Sequence, residues 1–188
     1  MWAKVESGSV TEIYTRPTEL IIGDVQYPRN IFQLWSKSEL NAIGIYEVEV
    51  DNTNLKDQGY YSNTSQSFTF GSGKVTAAYG SATAMSLDDS GSGESLVRGL
   101  KYRHKADINK HAGSILQPTD WMSIREAEGG TDMPSNIKTW RASIRTKANT
   151  MCTQIDNAAN VDALAALYVY NSDDPPVRPL GEFPSEPS

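Results

Sequence analysis

The sequence predicts an α+β fold in two parts. A small N-terminal β-rich domain with a short helix is followed by a C-terminal α-helical hairpin that runs into an extended Pro-rich tail. Three observations carry this. Up to about residue 85, short apolar runs with period-two alternation are separated by Gly-containing turn signals. From Leu96 the apolar spacing lengthens to that of a helix. From Ser172 onward come Pro175, Pro176, Pro179, Pro184 and Pro187, which exclude a helix and a central strand.

Residues 2–5 and 10–14 read as strands around Glu6-Ser7-Gly8-Ser9, where Gly8 can take the positive φ of a tight turn. Residues 19–22 form another short apolar run, ended by Gly23-Asp24, and Pro28 belongs to a strand edge or loop. Ser36-Lys37-Ser38-Glu39 has capping-box spacing and opens a short helix with Leu40 and Ile43 on its apolar side. Gly44 fits the left-handed residue that ends it. Residues 45–50 alternate as a half-buried strand. Residues 51–66 are polar and read as a loop, and 67–70 with 74–79 form a second hairpin around Gly71-Ser72-Gly73.

Residues 86–95 are small, polar and acidic, the composition of a flexible linker. They separate a β-rich module at 1–85 from a helical module at 96–171, with the tail at 172–188. In the helical module Leu96, Leu100, Ile108, Ala112 and Ile115 make a thin apolar stripe. Ile137, Trp140, Ile144, Ala148, Met151, Cys152 and Ile155 make a stronger one, opened by Pro134 in the first turn. Asn160 is positioned to cap a last short helix through Leu167.

Composition narrows the function. The 188 residues carry a net charge of −6, and no basic run or stripe offers the electrostatic footprint that nucleic acid requires. No stretch of ~18 apolar residues is present, so no membrane insertion is expected. The N-terminus lacks the apolar core of a signal peptide, which argues against secretion and makes Asn63-Thr64-Ser65 a chance glycosylation match. The lone Cys152 leaves no internal disulfide and no Cys-based zinc site; on an apolar helix face it reads as a small buried hydrophobe.

No constellation reads as catalytic, and neither a cofactor nor a metal is expected. His104, Asp107 and His111 fall on one helix face and have the chemistry of a zinc or iron site. A single helix seldom aims three such groups at one ion over two turns, so they read as a polar face or an oligomer contact. Asp88, Asp89, Ser90 and Glu94 lack the alternating ligands of a calcium loop. Gly71-Ser72-Gly73-Lys74 lacks the first glycine of a phosphate loop and reads as a hairpin turn. Trp121 and Trp140 read as packing anchors. Arg125, Arg141 and Arg145 read as surface partners of Asp120, Glu126 and Glu128, each pair worth ~0–1 kcal/mol, or as contacts to an acidic neighbour. In the tail, Val177, Leu180 and Phe183 recur every three residues, the polyproline II repeat, and would line one edge. That edge is expected to stay mobile in isolation and to dock in a groove on a neighbouring subunit.

The order of motifs from Leu116 is a helix end, Thr119-Asp120-Trp121, a short helix, Gly129-Gly130, Met133-Pro134, and a long helix carrying Trp140-Arg141 and Arg145. This resembles the C-terminal helical hairpin of tailed-bacteriophage tail fibre and tail fibre assembly proteins, over about residues 97–156. The N-terminal hairpin followed by a short helix, Gly44 and Ile45-Tyr46 also looks like the opening module of many small phage tail proteins. The resemblance implies a non-enzymatic structural component of a phage tail, at the baseplate or fibre attachment, made in the host cytoplasm and carried in the virion. It would act as an oligomer through contacts with other tail proteins, a tail fibre among them. The alternative is a tail fibre assembly chaperone, a group in which the same hairpin also occurs. A weaker alternative is a host-surface glycan-binding module using Tyr60 and Tyr61.

Overall fold

The computed structural model describes residues 1–187, and it begins with the hairpin the turn signal places. β1 (Trp2–Glu6) and β2 (Ser9–Tyr14) run antiparallel through a turn in which Ser7 (φ 48°) and Gly8 (φ 80°) are both left-handed. This turn type has the twist that the flanking strands need. A smaller hairpin, β3 (Leu20–Ile22) with β4 (Val25–Tyr27), turns at Gly23-Asp24. Two short helices follow where the sequence predicted one: α1 (Ile31–Leu34) and α2 (Lys37–Ala42). The capping box of α2 is complete. The Glu39 N–H donates to Ser36 Oγ at 3.3 Å, and the Ser36 N–H donates to Glu39 Oε2 at 2.8 Å.

Gly44 follows at φ 81°, and a Cβ there would stand 3.0 Å from the Val5 carbonyl oxygen. The close approach is a contact of the fold, because the Val5 N–H donates to the Gly44 carbonyl at 2.8 Å. It fixes how the helical segment returns the chain to the sheet as β5 (Ile45–Asp51). After β6 (Tyr61–Ser62), the hairpin of β7 (Gln66–Gly71) and β8 (Lys74–Tyr79) turns at Ser72 and Gly73, again both left-handed.

The strands assemble in the order β2-β1-β5-β8-β7. Among the described residues of this sheet only β5 and β8 pair parallel, which requires a crossover; the loop after β5 and strand β7 supply it. The sheet curls into a half-barrel. Its two faces follow the period of two. Trp2 and Ile45 join Leu20, Ile31, Phe32 and Leu40 on one side, while their neighbours Ala3 and Tyr46 join Val48, Val75, Ala77 and Phe70 on the other. The alternation fades at the end of β5, where Val50 is exposed.

The second unit begins at Ala84. Residues 86–95, expected to be a flexible linker, are instead tied to the start of α3 (Leu100–Leu116). The Leu100 and Lys101 N–H groups donate to the carbonyls of Ser86 and Leu87, each at 3.0 Å, and Ser90 bridges Val97. Asp89 accepts from the Gly99 N–H at 2.8 Å and from Arg98 Nη1 at 2.6 Å, and these two donors hold its carboxyl below the usual range. The carboxylate thus satisfies the N–H of the N-cap residue Gly99 itself, as the N3 carboxylate does in a capping box. A polar, small-residue composition predicts mobility only where the polar groups have no fixed partners.

A 3-10 turn, Gln117–Thr119, leads into α4 (Asp120–Ala127), and α5 (Ser135–Asp156) then runs antiparallel to α3. The pairing direction is fixed at both ends, by Arg141 to the Leu116 carbonyl and by Lys105 to Asp156 at 2.6 Å. The predicted stripe of α5 is buried except at Cys152, which is half-covered. α6 (Val161–Ala166) is capped by Asn160, whose Oδ1 accepts from the Ala163 N–H at 2.8 Å.

The tail departs most from expectation. It packs on its own unit rather than waiting for a neighbour. Leu180 is fully buried, and its N–H donates to the Leu167 carbonyl at 3.0 Å. The ring of Phe183 meets His111 edge-on at 5.1 Å. The three-residue period correctly groups Leu180 with Phe183, but both turn inward, and only Val177 remains exposed. Burying Leu180 is worth about 1.5–3 kcal/mol, one part of what offsets the ordering of an extended segment whose prolines have already reduced its chain entropy.

Replacing Gly44 with Ala should lower stability by about 1–2 kcal/mol, the cost of a Cβ in left-handed backbone. Urea unfolding followed by circular dichroism measures it, and an unchanged midpoint would show that the α2–β5 junction tolerates a side chain.

Candidate functional site

The residues that carry the sequence motif meet around one guanidinium. Arg141 lies in the second turn of α5 and is only 5% exposed. Its Nη1 donates to the Leu116 carbonyl at 2.8 Å and to Thr119 Oγ1 at 2.5 Å, and its Nη2 donates to Asp120 Oδ1 at 2.7 Å. Thr119, also buried, donates its own hydroxyl proton to the Leu116 carbonyl at 2.9 Å. The arginine therefore sits where α3 ends and α4 begins. A cation is favoured at the first position by the carbonyl end of the helix dipole, and Asp120 is favoured at the second by the N–H end. Sequence reasoning placed Arg141 on the surface. The structure corrects this: its planar fork matches three acceptors from one corner, which no single exposed carboxylate offers.

The other side of the corner faces solvent. No residue of α4 is buried, and Trp121 and Ile124 are 53% and 58% exposed. Trp121 is therefore not the packing anchor that the sequence suggested. The Arg125 guanidinium lies over its indole at 4.9 Å and donates from Nε to the Thr131 carbonyl at 3.0 Å. A Cβ on Gly130 would come within 2.8 Å of Arg125 Cγ, so the Gly-Gly loop admits this stacked arrangement. Lys138 of α5 pairs with Glu126 at 2.5 Å and ties the far end of α4 down. The outcome is a short helix held firmly at both ends with an aromatic and an aliphatic side chain presented outward.

Trp140, by contrast, is the buried anchor the sequence predicted, 7% exposed, with its Nε1 donating to the Pro184 carbonyl at 3.1 Å. Arg145 is exposed on the next turn of α5. Thr119 and Asp120 were legible as part of a motif, but their shared role with Arg141 was not, because it joins residues more than twenty positions apart.

The histidine face resolves into two aromatic contacts. The His104 ring lies tilted against that of Tyr168, with centroids 4.8 Å apart, and His111 meets Phe183 edge-on, while Asp107 is exposed. Among the described residues no three His, Cys, Asp or Glu side chains gather around a position for a metal ion. Burial lowers the His104 pKa, the nearby Arg103 charge lowers it further, and Asp107 opposes both. The Cys152 thiol is pushed up, chiefly by burial, which disfavours the reactive thiolate. No helix among the described residues is long and apolar enough to cross a membrane.

No family model matches the chain, no curated protein matches it, and no solved structure matches it.

Two outcomes test this geometry. Arg141→Met should cost about 3 kcal/mol, the upper end for hydrogen bonds to a charged group. Trp121→Ala should change stability by less than about 0.5 kcal/mol, as for surface positions. Denaturant titration of both variants checks the contrast; equal effects would refute the assignment of one side chain to the fold and the other to the surface. The second outcome concerns pH. A folded-state pKa below the unfolded 6.5 means that the unfolded chain protonates His104 first. Its contribution is then intact above that value and lost as pH falls through the folded pKa. His104→Gln should narrow the stability difference between about pH 7.5 and pH 5 relative to the parent chain. An unaltered pH dependence would place the acid sensitivity elsewhere.

Proposed function

We propose that this chain is a structural subunit of a bacteriophage tail that works through protein–protein contacts, at the baseplate or the root of a fibre, and not through catalysis. The observation that carries the reading is the pairing of a rigid corner with an outward apolar face. Arg141, Thr119 and Asp120 hold α4 in place, and Trp121 and Ile124 project from it. Trp and Arg are among the side chains most enriched at the energetic centre of protein interfaces. The corner is also the segment that resembles the phage tail fibre hairpin. Its partners would be other virion tail proteins, a tail fibre among them, and its location the virion tail.

The experiment is a complementation assay with Trp121→Ala and Ile124→Ser together in a phage lacking its own copy, with quantitative mass spectrometry of purified particles. The parent protein should be present in fixed proportion to the tail tube protein, and the double variant should be depleted at least tenfold while remaining folded. If the parent chain is missing from mature particles and fibres fail to trimerise without it, the protein is an assembly chaperone. If particles and fibres are normal without it, it has no tail role.

A further inference from the structure

The tail lies in a groove whose contacts read an extended backbone. Three donors from one face of α5, spaced seven residues apart, reach tail carbonyls: Trp140 Nε1 to Pro184, Lys147 Nζ to Leu180 and Gln154 Nε2 to Pro179, at 3.1, 3.0 and 3.0 Å. Seven residues are two helical turns, so the donors form a line. The tail runs along them in the opposite direction to the helix. Side-chain selectivity comes from Leu180, fully buried, and from Phe183 against His111. Clefts of about 470 and 400 Å³ flank the crossing at Trp140, lined by Ser135, Thr139 and Pro187 on one side and by His111, Ser114 and Glu186 on the other. An aromatic N–H donating to a proline carbonyl, with apolar pockets for residues three apart, is the chemistry by which grooves bind proline-rich extended segments.

Two features make the occupant exchangeable. Residues 171–177, which connect the tail to the body, are exposed throughout. Gln154 Oε1 is buried without a hydrogen-bond partner, and the tail presents Pro179 beside it, a residue with no N–H to give. The tail is therefore bound with one groove acceptor unmet, which weakens its hold.

We propose that the groove on α5 is a receptor for the same arm of a second copy, so that residues 178–187 exchange between chains. An exchanged arm makes the groove contacts that the internal one makes, so exchange costs the independent motion of the two chains and the opening of the connecting loop, which the Asn171 N–H closes onto the Val177 carbonyl at 2.8 Å and the Val177 N–H onto Asn171 Oδ1 at 2.9 Å. The internal arm has the advantage of a high effective concentration, so the exchanged form grows in as chain concentration approaches the millimolar range. This inference stands on the groove alone and holds whether or not the chain belongs to a virion.

The test uses the unaltered chain. Equal amounts of ordinary and nitrogen-15-labelled protein are unfolded together, refolded over a range of concentrations and cross-linked with a carbodiimide. Lys147 and Glu182 interact electrostatically and are candidates for joining. Light scattering on the same samples reports the mass. The expected result is a dimer that increases with concentration, in which half of the Lys147-to-tail cross-links join one labelled and one unlabelled peptide. Cross-links confined to single-label pairs at every concentration would overturn the proposal and make the arm a permanent strap. So would a single-chain mass throughout. A dimer with only single-label arm cross-links would also overturn it, since association would then occur through another surface.

Discussion

A guanidinium removed from water keeps its charge, so its surroundings must supply an anion and enough acceptors in the plane of its donors. Arg141 satisfies this by drawing on three consecutive features of the chain: the end of α3, the 3-10 turn and the start of α4. The requirement works in both directions. The arginine is tolerable in the core only if Leu116, Thr119 and Asp120 converge on it, and their convergence sets the angle at which the chain leaves α3 and returns as α5. Asp120 is about half exposed, so its charge is screened and its own contribution is modest. The specificity resides in the buried carbonyl and hydroxyl.

That corner decides what the second unit presents outward. Held at one end through Thr119 and Asp120 by Arg141 and steadied at the other by the Glu126–Lys138 pair, α4 keeps its apolar face outward. Trp121 and Ile124 are therefore exposed by constraint. An apolar pair presented on a rigid element loses little entropy when it is covered, which is the physical content of a pre-organised contact surface.

The two aromatic–histidine contacts show a similar economy. α3 carries His104 and His111 two turns apart, and each receives a ring from a different part of the C-terminal segment, Tyr168 and Phe183. A residue set that reads as a polar face in isolation is used to seat the chain that follows. The line of donors at Trp140, Lys147 and Gln154 completes the seat from the other helix. Its seven-residue spacing was present in the sequence, but Lys and Gln on a helix flank are indistinguishable from ordinary solvated side chains until something lies across them.

What the sequence determined by itself was local. Paired left-handed turn positions such as Ser7-Gly8 and Ser72-Gly73, the Ser36–Glu39 cap, Gly44, and the apolar stripe of α5 each depend on neighbours within a few residues, and their physics acts before the chain is folded. The α+β class follows from them. Tertiary structure decided the rest: that Arg141 is buried, that Trp121 is not, that residues 86–95 are tied to α3 by Asp89 and two backbone bonds, and that Leu180 of the tail is covered by its own chain. Each of these depends on partners distant in sequence. Charge, smallness and proline content describe what a segment does when nothing meets it, whereas burial and pairing depend on which acceptor or apolar surface the fold brings opposite.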